Sequence, residues 1–251
     1  MKIDKRRLYH LDWYLIINGL AIFAVGLFNL FSATNSFYSG SYNFLIKQLI
    51  AFGIGLVFIV IIIQYDYRII AEHSKWIYFA GLFLIILVLV IGMAAGGARR
   101  WINVFGISIQ PSEFMKPIIV VFLANMLYQR KSGNNPLGLK DIGIPMLYII
   151  VPFILILKQP DLGTGIIVLL VSLCTLWFVG LKKTTYAIIM SAGAIIPFIA
   201  WGYLLKPYQK MRVLSFINID ADPSGFGYHA KQAMIAVGSG KLFGKGYMAG
   251  T

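Results

Sequence analysis

FLIKQLIAFGIGLVFIVIIIQ, at residues 44–64, carries a single charge, Lys47, and decides the class of the whole chain. A bilayer core of roughly 30 Å is crossed by about 20 apolar residues in a helix, so this stretch reads as a membrane span. Six more segments share its character: residues 13–33, 76–95, 113–128, 142–157, 162–180 and 185–205. Two of them, 113–128 and 142–157, are short and hold Lys116, Pro145 and Pro152, which blur their ends. The fold class expected is all-α: a polytopic membrane helical bundle forming a single integral membrane domain over residues 1–251, with 206–251 as an outer loop.

Composition agrees. Of 251 residues 59% are apolar and 12% charged, and the mean hydropathy is +0.79. A soluble domain carries about 25% charged residues, so half that share requires an apolar solvent around much of the surface. The 18 Phe, 14 Tyr and 5 Trp exclude a disordered or collagen-like chain, and a lone Cys174 excludes a disulfide scaffold. The N-terminal basic residues and the apolar run after them resemble a signal peptide. That run exceeds a typical h-region and lacks a small-x-small site, so it reads as a first helix that stays.

Sidedness follows from Lys and Arg in the short connections. With the N-terminus cytoplasmic, that side receives Lys2, Lys5, Arg6, Arg7, Arg68, Lys75, Arg130, Lys131, Lys140, Lys182 and Lys183, against Lys47, Arg99, Arg100, Lys116 and Lys158 outside. The net charge of +13 is read as cytoplasmic anchors and contacts to anionic membrane lipids, with no nucleic acid partner. No internal repeat or low-complexity tract appears.

Two outer stretches break the apolar rhythm: residues 94–112, and a tail with the turn Asp222-Pro223-Ser224-Gly225 and recurrent glycines. Arg99 and Arg100 beside Trp101 on the outer side run against the positive-inside tendency. Their planar forks suit phosphate oxygens, and an interfacial anchor on lipid phosphate explains them equally well. Ser112 and Glu113 after Pro111 read as a helix start, with Lys116 in reach of Glu113 at i,i+3. That pair points to a cavity, or ties two helices together. Asp161, after Pro160, can cap the following helix or orient a sugar hydroxyl or metal. Arg212 adds a further cation in the tail. No His, Cys and carboxylate set has metal-site spacing, His229 being isolated, and no nucleophile or phosphate-loop motif occurs.

The strings Gly97-Ala98-Arg99-Arg100-Trp101, Gln110-Pro111-Ser112-Glu113 with Lys116, Gln159-Pro160-Asp161-Leu162-Gly163-Thr164, and Ala236-Val237-Gly238-Ser239-Gly240 leading to Gly244-Lys245-Gly246 and Gly250-Thr251 resemble the SEDS family of cell-wall polymerases. The Gln-Pro-Asp-Leu-Gly-Thr string, and the tail from Asp222-Pro223 to Gly227-Tyr228, are more similar to the elongation branch than to the division branch.

The resemblance implies a peptidoglycan glycosyltransferase of the bacterial inner membrane, serving cell elongation and shape. It would polymerise lipid II with a class B penicillin-binding protein as partner. Such a bundle has about ten helices, of which about seven lie in this chain. By motif, Arg99, Arg100, Trp101, Glu113, Lys116 and Arg212 would bind substrate, and Asp161 would support catalysis. In the family the outer loop runs on to a stretch bearing the carboxylate usually assigned as catalytic. The chain stops at Thr251, so the resemblance implies a C-terminally truncated piece with that carboxylate beyond it. Departure of a polyprenyl diphosphate calls for cations or a divalent ion, Mg or Mn, and for no organic cofactor. Transport of lipid II and a non-catalytic scaffold for the penicillin-binding protein are the other functions these features admit.

Overall fold

In the computed structural model the described residues are 12–35, 41–95, 98–104, 107–130, 136–218 and 225–249. Lys2, Lys5, Arg6, Arg7, Lys131, Gly97, Asp220, Asp222, Gly250 and Thr251 lie outside them, as do the side chains of Arg212 and His229. Backbone packing divides the chain into two units, one of Met1–Asp66 with Lys206–Thr251, the other of Tyr67–Leu205.

The first unit holds α1 (Trp13–Asn35) and α2 (Ser41–Gln64). Both are apolar nearly all round, and no residue of their spanning stretches is fully buried by protein, as expected of helices whose solvent is lipid. Asp12 starts α1 by accepting from the backbone N–H groups of Tyr14 and Leu15 at 3.1 and 3.2 Å. Phe23 stacks on Phe52 with ring centroids 3.6 Å apart, which joins the two helices.

The second unit runs through α3 (Tyr67–Glu72), α4 (Ser74–Ile91), the strands β1 (Met93–Ala95), β2 (Ala98–Val104) and β3 (Ile107–Ile109), and then α5 (Pro111–Arg130). It continues with α6 (Leu139–Lys158), α7 (Leu162–Val179), α8 (Lys183–Ile199) and a π-turn, Ala200–Leu204. Its core is a stripe down α5, where Met115, Ile119, Leu123 and Leu127 are fully buried at a spacing of four. Against that stripe lie Tyr78 and Ile85 of α4, Ile149 and Ile156 of α6, and Val168 and Leu176 of α7. At Gly81 of α4 an added Cβ would come within 3.3 Å of Met115 and Ile118, so the missing side chain is what lets α4 approach α5. The Tyr78 hydroxyl donates to the Tyr148 carbonyl at 2.8 Å, a polar tie where no water competes.

Among the described residues six helices are long and apolar enough to cross a membrane: α1, α2, α4, α6, α7 and α8 with its π-turn. The protein is a multi-pass membrane protein. The segment expected at 113–128 forms α5, which is not among the six. It carries Glu113, Lys116 and Arg130 and buries one face, Met115, Ile119, Leu123 and Leu127, while Phe114 and Tyr128 stay exposed.

Three details differ from the sequence reading. The segment expected at 76–95 ends as a helix at Ile91, because Gly92 turns extended and Met93–Ala95 pairs with β2 instead. Residues 94–112, expected as loop, hold an antiparallel sheet in the order β1-β2-β3. The tail expected as loop at 206–251 forms α9 (Pro207–Ile217) and α10 (Phe226–Gly240). Pro207 and the Gln209 side chain, which accepts from Lys206 N–H at 2.9 Å, start α9 without any apolar periodicity strong enough to announce it. Beyond α10, Tyr247 stacks on Phe28, and Met248 N–H donates to Ser32 Oγ at 2.8 Å, seating the end of the tail on α1 within the first unit.

Candidate functional site

The site forms where three connections of the second unit meet at one end of the buried α5 stripe. Strand β2 carries Arg99, Arg100 and Trp101, and its pairing with β1 is irregular: Met93 faces Trp101 and Ala94 faces Arg99. Arg100 is therefore the extra residue of a β-bulge, a device that re-aims one side chain out of a regular ladder.

Arg100 reaches Asp161, with Nη1 3.7 Å from Oδ1. Asp161 is buried and starts α7, accepting from Thr164 N–H at 3.4 Å. Its other oxygen accepts from Gln110 Nε2 at 2.7 Å, and the same amide reaches Ser112 Oγ at 3.0 Å. One carboxylate thus locks the sheet, the start of α5 and the start of α7 together. Gln159, just before Asp161, is 1% exposed and donates from Nε2 to the Ile85 carbonyl of α4 at 2.9 Å. That contact fixes the α6–α7 corner against the helix that feeds the sheet.

The expected residues divide into three sets. Arg100 and Asp161 converge. Glu113 and Lys116 pair with each other at 2.7 Å on α5, with the Glu113 side chain half exposed. Arg99, next to Arg100, donates instead to the Val90 carbonyl at 3.4 Å and stays exposed, as does Trp101. The backbone of Arg212 lies in α9 of the first unit, and its side chain is not described. Gln110 and Gln159 enter the sequence reading only within family motifs, and Ser112 only as part of a helix start; the ties they make across the fold come from the structure. Polar residues flanking a proline at the mouth of an apolar run fit a cap equally well.

Chemically the arrangement sets a guanidinium beside a carboxylate. Arg100 has five N–H donors in a planar fork, of which Asp161 orients one edge. Its Nε is buried with no hydrogen-bond partner among the described residues, while about a quarter of the side chain stays exposed. Among the described residues no three His, Cys, Asp or Glu side chains come together, and both oxygens of Asp161 are already engaged. The described residues do not compose a metal site, and no step is assigned to a metal.

The sequence pattern of the FtsW/RodA/SpoVE family of cell cycle proteins matches residues 12–251. The chain belongs to this family. Among curated members it is 31% identical over 243 residues to the peptidoglycan glycosyltransferase MrdB of Escherichia coli, covering 96% of the chain and 64% of MrdB. It is 34% identical over 244 residues to the stage V sporulation protein E of Bacillus subtilis, covering 94% and 65%. The chain therefore spans a little under two thirds of the length of these FtsW/RodA/SpoVE relatives. Among solved structures, a peptidoglycan synthase complex that coordinates polymerization and crosslinking contains a similar chain, with a TM-score of 0.70 and 29% identity over 91% of this chain and 65% of that one. The rod shape determining protein RodA of Thermus thermophilus matches with a TM-score of 0.62 and 28% identity over 74% of this chain and 60% of its own.

Proposed function

We propose that this protein is a peptidoglycan glycosyltransferase that polymerises lipid II into glycan strands during cell elongation, in the bacterial inner membrane, with a class B penicillin-binding protein as partner. The observation that carries the reading is Arg100: a guanidinium aimed by a bulge, anchored on Asp161, and left with unspent donors. The excess of Lys and Arg in alternate connections supports a cytoplasmic N-terminus.

Polymerisation requires a sugar hydroxyl to attack an anomeric carbon as the bond to a polyprenyl diphosphate breaks. The hydroxyl proton passes to a base, and negative charge grows on the departing diphosphate. An α-linked donor and β-linked product imply one inverting displacement with no covalent enzyme intermediate. Arg100 serves the leaving diphosphate, since preorganised donors stabilise charge as it develops. Asp161 holds that arginine. With both its oxygens accepting hydrogen bonds it acts as an anchor and not as the base. Glu113 and Lys116 shape the polar face of α5 one turn further in.

The test reconstitutes the complete protein with its penicillin-binding partner and lipid II and measures glycan. Arg100→Ala should lower turnover by about 100-fold or more, the scale of one lost transition-state donor. Unchanged turnover removes Arg100 from the site. Movement of labelled lipid II without polymer makes the protein a transporter, and co-purification without turnover makes it a scaffold.

A further inference from the structure

An apolar groove of about 200 Å³ runs between α7 and α8, lined by Leu170, Leu173, Cys174, Trp177, Ile189 and Met190, with Leu181 and Tyr186 at one end. From Trp177 to Leu170 it follows α7 for about 10 Å at 1.5 Å per residue. Its end wall is built firmly. The Tyr186 hydroxyl donates to the Trp177 carbonyl at 3.0 Å, the two rings meet edge to face at 5.4 Å, and Leu181 is buried. Leu137 N–H donates to the Gly180 carbonyl at 3.1 Å and Lys182 N–H to the Leu137 carbonyl at 2.9 Å, pinning the connection from outside.

At that same end the chain continues directly into Lys182 and Lys183. Both are exposed, and neither is in an ion pair among the described residues. They stand at the start of α8, where the helix macrodipole disfavours cations, and the first turn of α8 holds no acid. Asp141, at the same corner, accepts from Gly138 N–H at 2.7 Å and keeps its negative charge, so two lysines face one acid there. The result is an apolar slot, an aromatic rim of Trp177 and Tyr186, and a net positive charge in line. Aromatic residues with an apolar body and polar tip belong at the headgroup level of a bilayer, and anionic headgroups attract lysines there.

We infer that this corner binds an anionic glycerophospholipid, one acyl chain lying in the groove and the phosphate resting on Lys182 and Lys183. Lipid is the occupant because α7 and α8 are both spanning helices whose outer faces meet acyl chains, and because the charge beyond the groove is net positive, Lys182 and Lys183 against Asp141.

The test carries the full chain from detergent into native mass spectrometry with equal amounts of phosphatidylglycerol and phosphatidylcholine bearing identical acyl chains. The wild type should retain phosphatidylglycerol preferentially. Lys182→Gln with Lys183→Gln should reduce that preference by about fivefold per lysine while the melting temperature holds. Leu173→Trp, which fills the slot, should lower retention of both lipids, with Met190→Phe on the open side as the second variant should Leu173→Trp unfold. Glycerol phosphate in excess, which has the headgroup without a chain, should leave the retained lipid in place. Undiminished preference in the lysine variant, unchanged retention in the filled groove, or displacement by glycerol phosphate each overturns the assignment.

Discussion

Gln110 Nε2 donates to Asp161 Oδ2 at 2.7 Å across 51 residues of chain, joining the start of α5 to the start of α7 directly beneath Arg100. The carboxylate has no freedom left to swing away from the guanidinium. A glutamine amide and a helix-capping aspartate thereby set the position of Arg100.

Replacing Asp161 by Asn keeps the shape and one acceptor oxygen for the cap, but removes the charge facing Arg100 and turns the other oxygen, which accepts from Gln110, into a donor. Turnover of the complete protein on lipid II is expected to fall by tenfold or more with the fold retained, because the anchor and not the packing is lost. Arg100→Lys should fall almost as far as Arg100→Ala, since an ammonium is a point charge and cannot keep a fork aimed. Steady-state glycan synthesis beside thermal melting checks both.

Arg99 and Arg100 are neighbours in sequence with different partners, the Val90 carbonyl and Asp161. Arg99→Ala, which removes only an exposed contact to the Val90 carbonyl, should lower turnover by less than about tenfold under conditions where Arg100→Ala lowers it far more. Equal losses would assign both guanidiniums to substrate.

The Glu113–Lys116 pair is half open to solvent on the Glu113 side, and such pairs contribute about 0–1 kcal/mol to stability. Glu113→Gln and Lys116→Gln should therefore leave the melting temperature nearly unchanged. A large loss of turnover in the same variants would place the pair in contact with substrate, and preserved turnover would make it a surface feature.

Gln159 is buried, with its amide N–H satisfied by Ile85 and its Oε1 unpartnered among the described residues. Gln159→Met removes one hydrogen bond worth about 0.5–1.5 kcal/mol together with an orphan acceptor, so the net change in unfolding free energy should stay within about 1 kcal/mol. Gln159→Glu places a carboxyl in the same closed corner and should be the more destabilising of the two, as read by melting in detergent.

Gly81 tests the α4–α5 approach. The atoms that an added Cβ meets, Ile118 Cδ1 and Met115 Sδ, are ends of flexible side chains that can yield, so Gly81→Ala should stay within about 1 kcal/mol of wild type. Gly81→Leu overfills the contact and should cost about 1–3 kcal/mol. Equal stability of all three would mean that α4 and α5 do not depend on the gap.

Much of the architecture was written in local composition. Long apolar runs become helices in a bilayer whatever their neighbours do, since every backbone N–H and carbonyl must then be satisfied within its own segment. The positions of α1, α2, α6, α7 and α8 followed from that alone, and the family resemblance from four short motifs in order. The sequence also marked Arg100 and Asp161 as charged residues out of place. What it could not separate was Arg100 from Arg99, because two adjacent arginines are equivalent until strand pairing and a bulge give them different partners. Nor could it show Gln110 and Gln159 as ties, or which face of α5 its neighbours bury. Those facts depend on contacts between residues far apart in the chain, and only packing the helices brings such residues within a hydrogen bond of one another.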